Sequence, residues 1–171
     1  MDREFLLVDG YNIIHAWAPL KELAKENLEA ARDKLIEIMS NYQGYKKITV
    51  IVVFDAHKVK GSIGKTYKYH NIYVVYTKEA ETADNYIEKV AHKIGHKQRV
   101  RVATSDGLEQ IIILGKGATR ISARELYNEV KQMKEQIRNH YIKKKTIKRN
   151  TLESFLDPSV AEWMEKIRRQ K

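Results

Sequence analysis

The run Ile48-Thr49-Val50-Ile51-Val52-Val53-Phe54 is almost continuously apolar, and it constrains the fold more than any other feature of the chain. A strand with one face in water alternates apolar and polar residues. One that is apolar throughout is covered on both faces, the situation of a central strand in a parallel sheet flanked by helices. Further short runs rich in Val, Ile and aromatic residues read as strands: Phe5–Val8, Ile72–Tyr76, Val100–Ala103 and, more weakly, Arg120-Ile121. Helical periodicities lie between them. Leu28, Ala31, Leu35, Ile38 and Met39 recur at spacings of three and four, predicting a helix over about 20–43 that ends near Gly44 as its C′ residue. Thr82 is the predicted N-cap of a helix over 83–96 with Ile87, Val90, Ala91 and Ile94 inward. A short helix is predicted after Asp106, a long one from Ala123 to about Lys144, and a last one started by Asp157-Pro158 and carrying Val160, Trp163, Met164 and Ile167. Strands alternating with helices predict a mostly parallel, doubly wound α/β sheet with helices on both faces. Residues 55–71, rich in Lys, His and Gly, break the alternation and read as a mobile basic loop.

With 171 residues and 43% hydrophobic content, the chain can build one such domain plus a small appendage. It has no cysteine, which excludes disulfides, zinc–thiolate sites and thiol catalysis. The apolar run Phe5-Leu6-Leu7-Val8 stops at Asp9, too short for a signal peptide, and no segment approaches the roughly 20 apolar residues that cross a bilayer. The expectation is a cytoplasmic protein without a membrane partner. The six histidines show no His-Glu-x-x-His spacing, which disfavours a zinc hydrolase. Neither a Gly-x-x-x-x-Gly-Lys-Ser/Thr loop nor Gly-x-Gly-x-x-Gly after the first strand is present, so no nucleotide cofactor is expected.

Ligands of an open parallel sheet sit beyond the carboxyl ends of its strands. Three predicted strands lead into aspartate there: Leu6-Leu7-Val8-Asp9, Val52-Val53-Phe54-Asp55 and Val102-Ala103-Thr104-Ser105-Asp106. A fourth acid, Asp84, falls in the first turn of the helix capped by Thr82. Converging carboxylates repel one another, and a bound divalent cation removes that repulsion. Oxygen-only ligands suit Mg²⁺ or Mn²⁺, and such ions serve phosphodiester hydrolysis by activating water and steadying the leaving oxygen. Each acid also has an ordinary structural use. Asp9-Gly10 and Asp106-Gly107 are turn dipeptides, Asp106 can cap a helix, and Asp84 complements a helix dipole. Asn12, three residues after Asp9, can orient a ligand or form a local turn bond. Thr104 and Ser105 can position water or begin a helix, while Glu81 and Glu88 flank Asp84, the latter reading as a solvated face.

The formal charge of +10 favours a polyanionic partner, although a basic chain can also be merely soluble. The charge is concentrated: residues 131–150 hold eight Lys/Arg against Glu135 alone. Within the expected loop, Lys58, Lys60, Lys65 and Lys68 carry no intervening acid and are interleaved with Tyr67 and Tyr69. Lysines can follow a nucleic-acid backbone while tyrosines stack on unpaired bases, as in single-stranded RNA binding; a solvated loop is the plain alternative. Lys143, Lys144 and Lys145, with Lys148 and Arg149, form a second basic surface at the expected end of the long helix, where cations also favour the dipole. Trp17 and Trp163 read as packing residues.

Leu6-Leu7-Val8-Asp9-Gly10-Tyr11-Asn12-Ile13-Ile14 resembles the opening motif of NYN domains, the PIN-like nucleases. Phe54-Asp55-Ala56, Glu81-Thr82-Ala83-Asp84 and Thr104-Ser105-Asp106 follow in that family's order and spacing. The resemblance spans about residues 4–140 and is strongest to the bacterial YacP-like branch. It implies a PIN-like three-layer α/β/α domain over 1–144, with 145–171 as a short connector and C-terminal basic helical extension. It further implies divalent-metal-dependent endoribonuclease activity, with Asp9, Asp84 and Asp106 as the acidic core and Asn12 and Asp55 in support. The branch implies mRNA decay on the ribosome, with RNA cleaved in the decoding site. Where many PIN-like enzymes have a further acid after the fourth strand, this chain offers only Glu109, which implies one tightly held ion and one recruited with substrate. Three other readings stay open: a catalytically idle RNA- or ribosome-binding factor, a structure-specific DNA nuclease, and a small-molecule phosphatase.

Overall fold

The computed structural model describes residues 3–56, 63–105, 117–154, 163 and 166–169, with the backbone alone at Ile63 and at 147–154. Lys58, Lys60, Asp106, Glu109, the helix expected after Asp106 and the Asp157-Pro158 start lie outside the described residues. The strands are β1 (Glu4–Asp9), β2 (Thr49–Phe54), β3 (Ile63–Tyr69), β4 (Ile72–Lys78), β5 (Arg99–Ala103) and β6 (Thr119–Ile121). The helices are α1 (Gly10–Ala16), α2 (Ala18–Glu26), α3 (Leu28–Lys46), α4 (Ala83–Gly95) and α5 (Ala123–Ser154).

The strands form one six-stranded sheet in the order β3-β4-β2-β1-β5-β6, parallel except for β3, which pairs antiparallel with β4. The apolar run of β2 lies between β4 and β1, and Val50, Val52, Val53 and Phe54 are wholly buried. One side of the sheet presents Leu7, Val53, Val75, Val100 and Val102 to Ala83, Ile87 and Ala91 of α4, with Val90 and Ile94 only partly buried at the margin. Thr82 caps α4 as the spacing predicts, accepting from the Asn85 N–H at 3.2 Å. Helices α1 and α3 pack on β2 from the other face. The chain leaves β1 toward β2 on one side and returns from α4 to β5 on the other. The carboxyl end of β1 is therefore the switch point in strand order, where open α/β sheets bind ligands.

Several expectations change on contact with the structure. First, Ile63–Tyr69 is not loop but an edge strand closed onto β4 by a turn in which His70 takes a left-handed φ of 49°. The lysines masked an alternating Lys-Thr-Tyr pattern, and an edge strand tolerates lysines because one side faces water and charge there blocks unwanted pairing. Second, the helix expected over 20–43 is two helices, preceded by a third. Trp17 and Asn27 both leave helical geometry, and the Asn27 side chain caps α3 by accepting from the Ala30 N–H at 3.0 Å. Third, α3 passes through Gly44 and ends at Lys46, and the cap residue Lys47 adopts the left-handed conformation instead. Asn71 of the β3–β4 turn donates to the Ser40 carbonyl at 3.0 Å, a tertiary bond that secures this last stretch. Fourth, α5 continues to Ser154, so Lys143, Lys144 and Lys145 sit inside a helix and not at its C-terminus. No proline or glycine stops it, and the dipole reason for that charge falls away.

Asp9-Gly10 is also not a loop turn, since Gly10 is the first residue of α1 and the strand passes directly into the helix. A Cβ at Gly10 would lie 2.4 Å from Phe54 Cε1, a ring fully buried and in edge contact with Tyr11. Gly10→Ala is therefore expected to destabilise by about 1–3 kcal/mol despite alanine's better helix propensity. A lowered urea midpoint would show it, and an unchanged midpoint would refute the close packing.

Backbone contacts divide the chain into two compact units, Met1–Lys131 and Gln132–Lys171. In the first, the half-buried Arg101 pairs with Glu129 at 2.6 Å and Glu4 at 3.5 Å, and Glu129 also accepts from the Tyr42 hydroxyl. Trp17 is 3% exposed and donates from Nε1 to the Ala123 carbonyl at 2.8 Å, the packing role its type predicts. In the second unit Trp163 is 64% exposed, against the packing expectation. Among the described residues no helix is long and apolar enough to cross a membrane.

Candidate active site

Asp9 ends β1 and is 6% exposed, one of few buried polar residues among those described. Asn12 stands one turn into α1, and its amide is used on both sides. Nδ2 donates to Asp9 Oδ2 at 3.5 Å and to Thr104 Oγ1 at 3.3 Å; Oδ1 accepts from the Ser105 N–H at 3.3 Å and from the Ser105 hydroxyl. Asn12 thus ties the end of β1 to the end of β5. Thr104 and Ser105 both hydrogen-bond Asn12. Asn12→Ala removes donors from a buried carboxylate and a buried hydroxyl. The expected loss is about 1–3 kcal/mol of stability, read as a lowered urea midpoint.

An open cleft of ≈ 320 Å³ lies at this edge, lined by Asp9, Tyr11, Asn12, His15, Asp55, Ala83 and Asp84. Strand β2 contributes Asp55 at its end, and the N-cap of α4 places the exposed Asp84 in the first turn. The chain fold therefore brings Asp9, Asp55, Asp84 and Asn12 to one cleft. Tyr11 and His15 were not picked out from the sequence. Both follow Asp9 on α1, and His15 lies three residues after Asn12, hence on the same helix side. Tyr11 accepts from Arg32 Nη1 at 3.0 Å and begins an aromatic series, Tyr11–Phe54–Tyr76–Tyr67, with ring centroids 5.2, 5.5 and 6.0 Å apart.

The electrostatics of the cleft centre on Asp9. Its carboxyl is raised from the ordinary 3.8 to about 7. Burial is the largest cause, followed by the charge of Asp84, while hydrogen bonds from the Asn12 N–H and side chain pull the other way. A carboxylate buried beside a second carboxylate and held out of its preferred state at neutral pH fits a bound cation, which would remove both penalties. Among the described residues no cluster of three or more His, Cys, Asp or Glu stands in ligating arrangement. Asp9 and Asp84 are brought together, Asp55 is on the cleft wall, and Asp106 is outside the described residues.

The described basic residues of the RNA-binding expectation belong to two elements, β3 and α5. Strand alternation and register put Lys65, Tyr67 and Tyr69 on one face of β3 and Lys68 on the other, opposite Tyr73. Tyr67 stacks on Tyr76, Tyr69 meets the His70 ring edge-on at 4.5 Å, and Lys68 Nζ lies 5.9 Å from the Tyr73 ring. Lys143, Lys144 and Lys145 are exposed on α5, and Lys148 and Arg149 continue the same helix.

The family model for the YacP-like NYN domain matches residues 6–169. The uncharacterized protein YacP of Bacillus subtilis strain 168 is 46% identical over 167 residues, covering 97% of each chain. A crystal structure of Rae1 (YacP) from Bacillus subtilis superposes with a TM-score of 0.71 at 46% identity, covering 99% of this chain and 96% of that one. A crystal structure of a tryptophan-to-leucine variant of that protein gives the same TM-score and identity over 81% of each chain.

Proposed function

Because this chain belongs to the YacP-like NYN domain family, a nuclease-type family, we propose that it is a divalent-metal-dependent endoribonuclease acting on mRNA at the ribosome, and so in mRNA decay. The observation that carries the reading is the burial of Asp9 beside Asp84 at the carboxyl end of β1. Asp9 and Asp84 would hold Mg²⁺ or Mn²⁺, with Asp55 and Asp106 completing the acidic set. A divalent ion held there would supply Lewis-acid activation of water and charge stabilisation at phosphorus. The chain's own residues do the rest. Burial keeps the Asp9 carboxyl away from competing water, and Asn12, held by Thr104 and Ser105, fixes its orientation. The nuclease domain would cover 1–144, with 145–171 as an extension.

Lys58, Lys60, Lys65, Tyr67, Lys68 and Tyr69, together with Lys143, Lys144, Lys145, Lys148 and Arg149, are the proposed RNA contacts. The +10 charge supports such contacts through counterion release. The ribosomal setting, like a cytoplasmic location, rests on the family resemblance. RNA 5′ ends mapped on translating ribosomes, with wild-type protein and with Asp9→Asn or Asp106→Asn protein, test the proposal. New 5′ ends at defined positions with wild type alone are expected. Identical ends in all three samples, with RNA still bound, would point to a binding factor without catalysis.

A further inference from the structure

A second cavity, of ≈ 520 Å³, lies beside the acidic cleft, where the ends of β5 and β6 meet the α1–α2 junction and the start of α5. We propose that it is the subsite for a nucleotide flanking the scissile phosphate of single-stranded RNA, with Arg120 and Arg124 on the phosphate and the half-buried Tyr127 ring, backed by Trp17, against the base. This inference rests on the nuclease reading above and adds a substrate contact to it.

Three observations support it. The first is continuity. Ser105 lines this cavity and donates from its backbone N–H to Asn12, which lines the acidic cleft, so one hydrogen bond links the two linings. The second is chemistry of the walls. Trp17 and Tyr127 pack with ring centroids 5.3 Å apart, and Ala16, Ala18 and Ala123 extend that apolar surface. Arg120 and Arg124 are both exposed on the same lining. Apolar and aromatic walls with a few convergent cations suit a base and its phosphate, and the volume is in the range of small-ligand sites.

The third observation is that helix architecture does not explain Arg124. The N-terminus of α5 is already capped reciprocally: the Glu125 N–H donates to Ser122 Oγ at 3.1 Å, and the Ser122 N–H donates to Glu125 Oε2 at 2.7 Å. A cation in the first turn opposes the helix dipole, which favours anions there. An arginine at a helix start, beside a second arginine and an aromatic wall, matches an anionic ligand.

The test is binding of a fluorescent single-stranded oligoribonucleotide, measured across a salt series in an Asp9→Asn background so that the probe stays whole. Adding Arg120→Gln and Arg124→Gln is expected to weaken binding about tenfold and to reduce the logarithmic salt slope by about 0.7, the value for one phosphate contact on a single strand. Adding Tyr127→Leu is expected to weaken binding at least about fivefold with the slope unchanged. Both losses are required, and wild-type affinity in either variant overturns the subsite. If Tyr127→Leu does not fold, Trp163→Phe leaves Trp17 as the sole tryptophan reporter; RNA must then change its fluorescence, and no change overturns the subsite. These readouts do not depend on cleavage. Asp9→Asn protein that still cut RNA would sink the acidic-cleft reading and leave the subsite intact.

Discussion

Replacing Asp9 by asparagine is expected to lower RNA cleavage by on the order of 10²–10³-fold while making the metal-free protein more stable above pH 7. The two effects have one origin. Burial and the neighbouring Asp84 raise the Asp9 carboxyl from 3.8 to about 7, so the folded protein retains a proton that the unfolded chain gives up near pH 4. Between those values the unfolded state binds fewer protons than the folded one, and stability falls as pH rises. Below pH 4 both states are protonated, and aspartate and asparagine are nearly equivalent. Above pH 7 the wild type bears the full cost of a buried charge, on the order of 2–4 kcal/mol. Asparagine fills the same space without a charge. Thermal unfolding in chelator should show no advantage for Asp9→Asn at pH 4 and one of roughly 5–10 °C at pH 8. A variant that is less stable at every pH would mean that Asp9 is an ordinary structural aspartate.

Asp84→Asn should separate the two terms that act on Asp9. Asp84 is exposed in the first turn of α4, so its own loss disturbs little packing. Its charge is the second cause of the Asp9 shift, after burial, so the Asp9 carboxyl should titrate lower in this variant but remain above 3.8. Metal-free stability at pH 8 should rise by less than in Asp9→Asn. Cleavage should fall by about 10²-fold, because half of the paired charge that would hold the ion is gone. If the two acids work as one site, the Asp9→Asn/Asp84→Asn double variant loses little more activity than either single variant. Additive losses in cleavage would show two independent contributions and break the paired-ligand account.

Much of this arrangement was legible because it is local. The unbroken apolar stretch before Asp55 marked a doubly covered strand, and Thr82 followed by Ile87 and Ala91 marked the helix that carries Asp84. Strand-end aspartates identify an edge of the sheet even before the strand order is known, since every parallel strand delivers its carboxyl end there. The misreadings share a different cause. Lys65, Thr66 and Lys68 suggested solvent and loop, but an edge strand needs only half of its surroundings from the protein, and its partner β4 supplies them. The end of α3 past Gly44 is tied to Asn71 of the β3–β4 turn, and no local pattern announces such a bond. Asn12 was recognisable as a polar residue near Asp9, whereas its link to Ser105 exists only once β1 and β5 are neighbours. The cavity of Trp17, Arg120, Arg124 and Tyr127 draws on three separated segments, each ordinary by itself. Its one local oddity is a cation at a helix start, which is visible only when the helix boundary is fixed.

Asp9 and Asp84 are proposed to form a divalent-cation site. Mn²⁺ titration followed by electron paramagnetic resonance at pH 8, with wild type and the two asparagine variants, tests it without RNA or ribosomes. Saturable binding to wild type, weakened at least about tenfold in Asp9→Asn and in Asp84→Asn, is the predicted result. Equal binding by all three proteins, or none by the wild type, would contradict it.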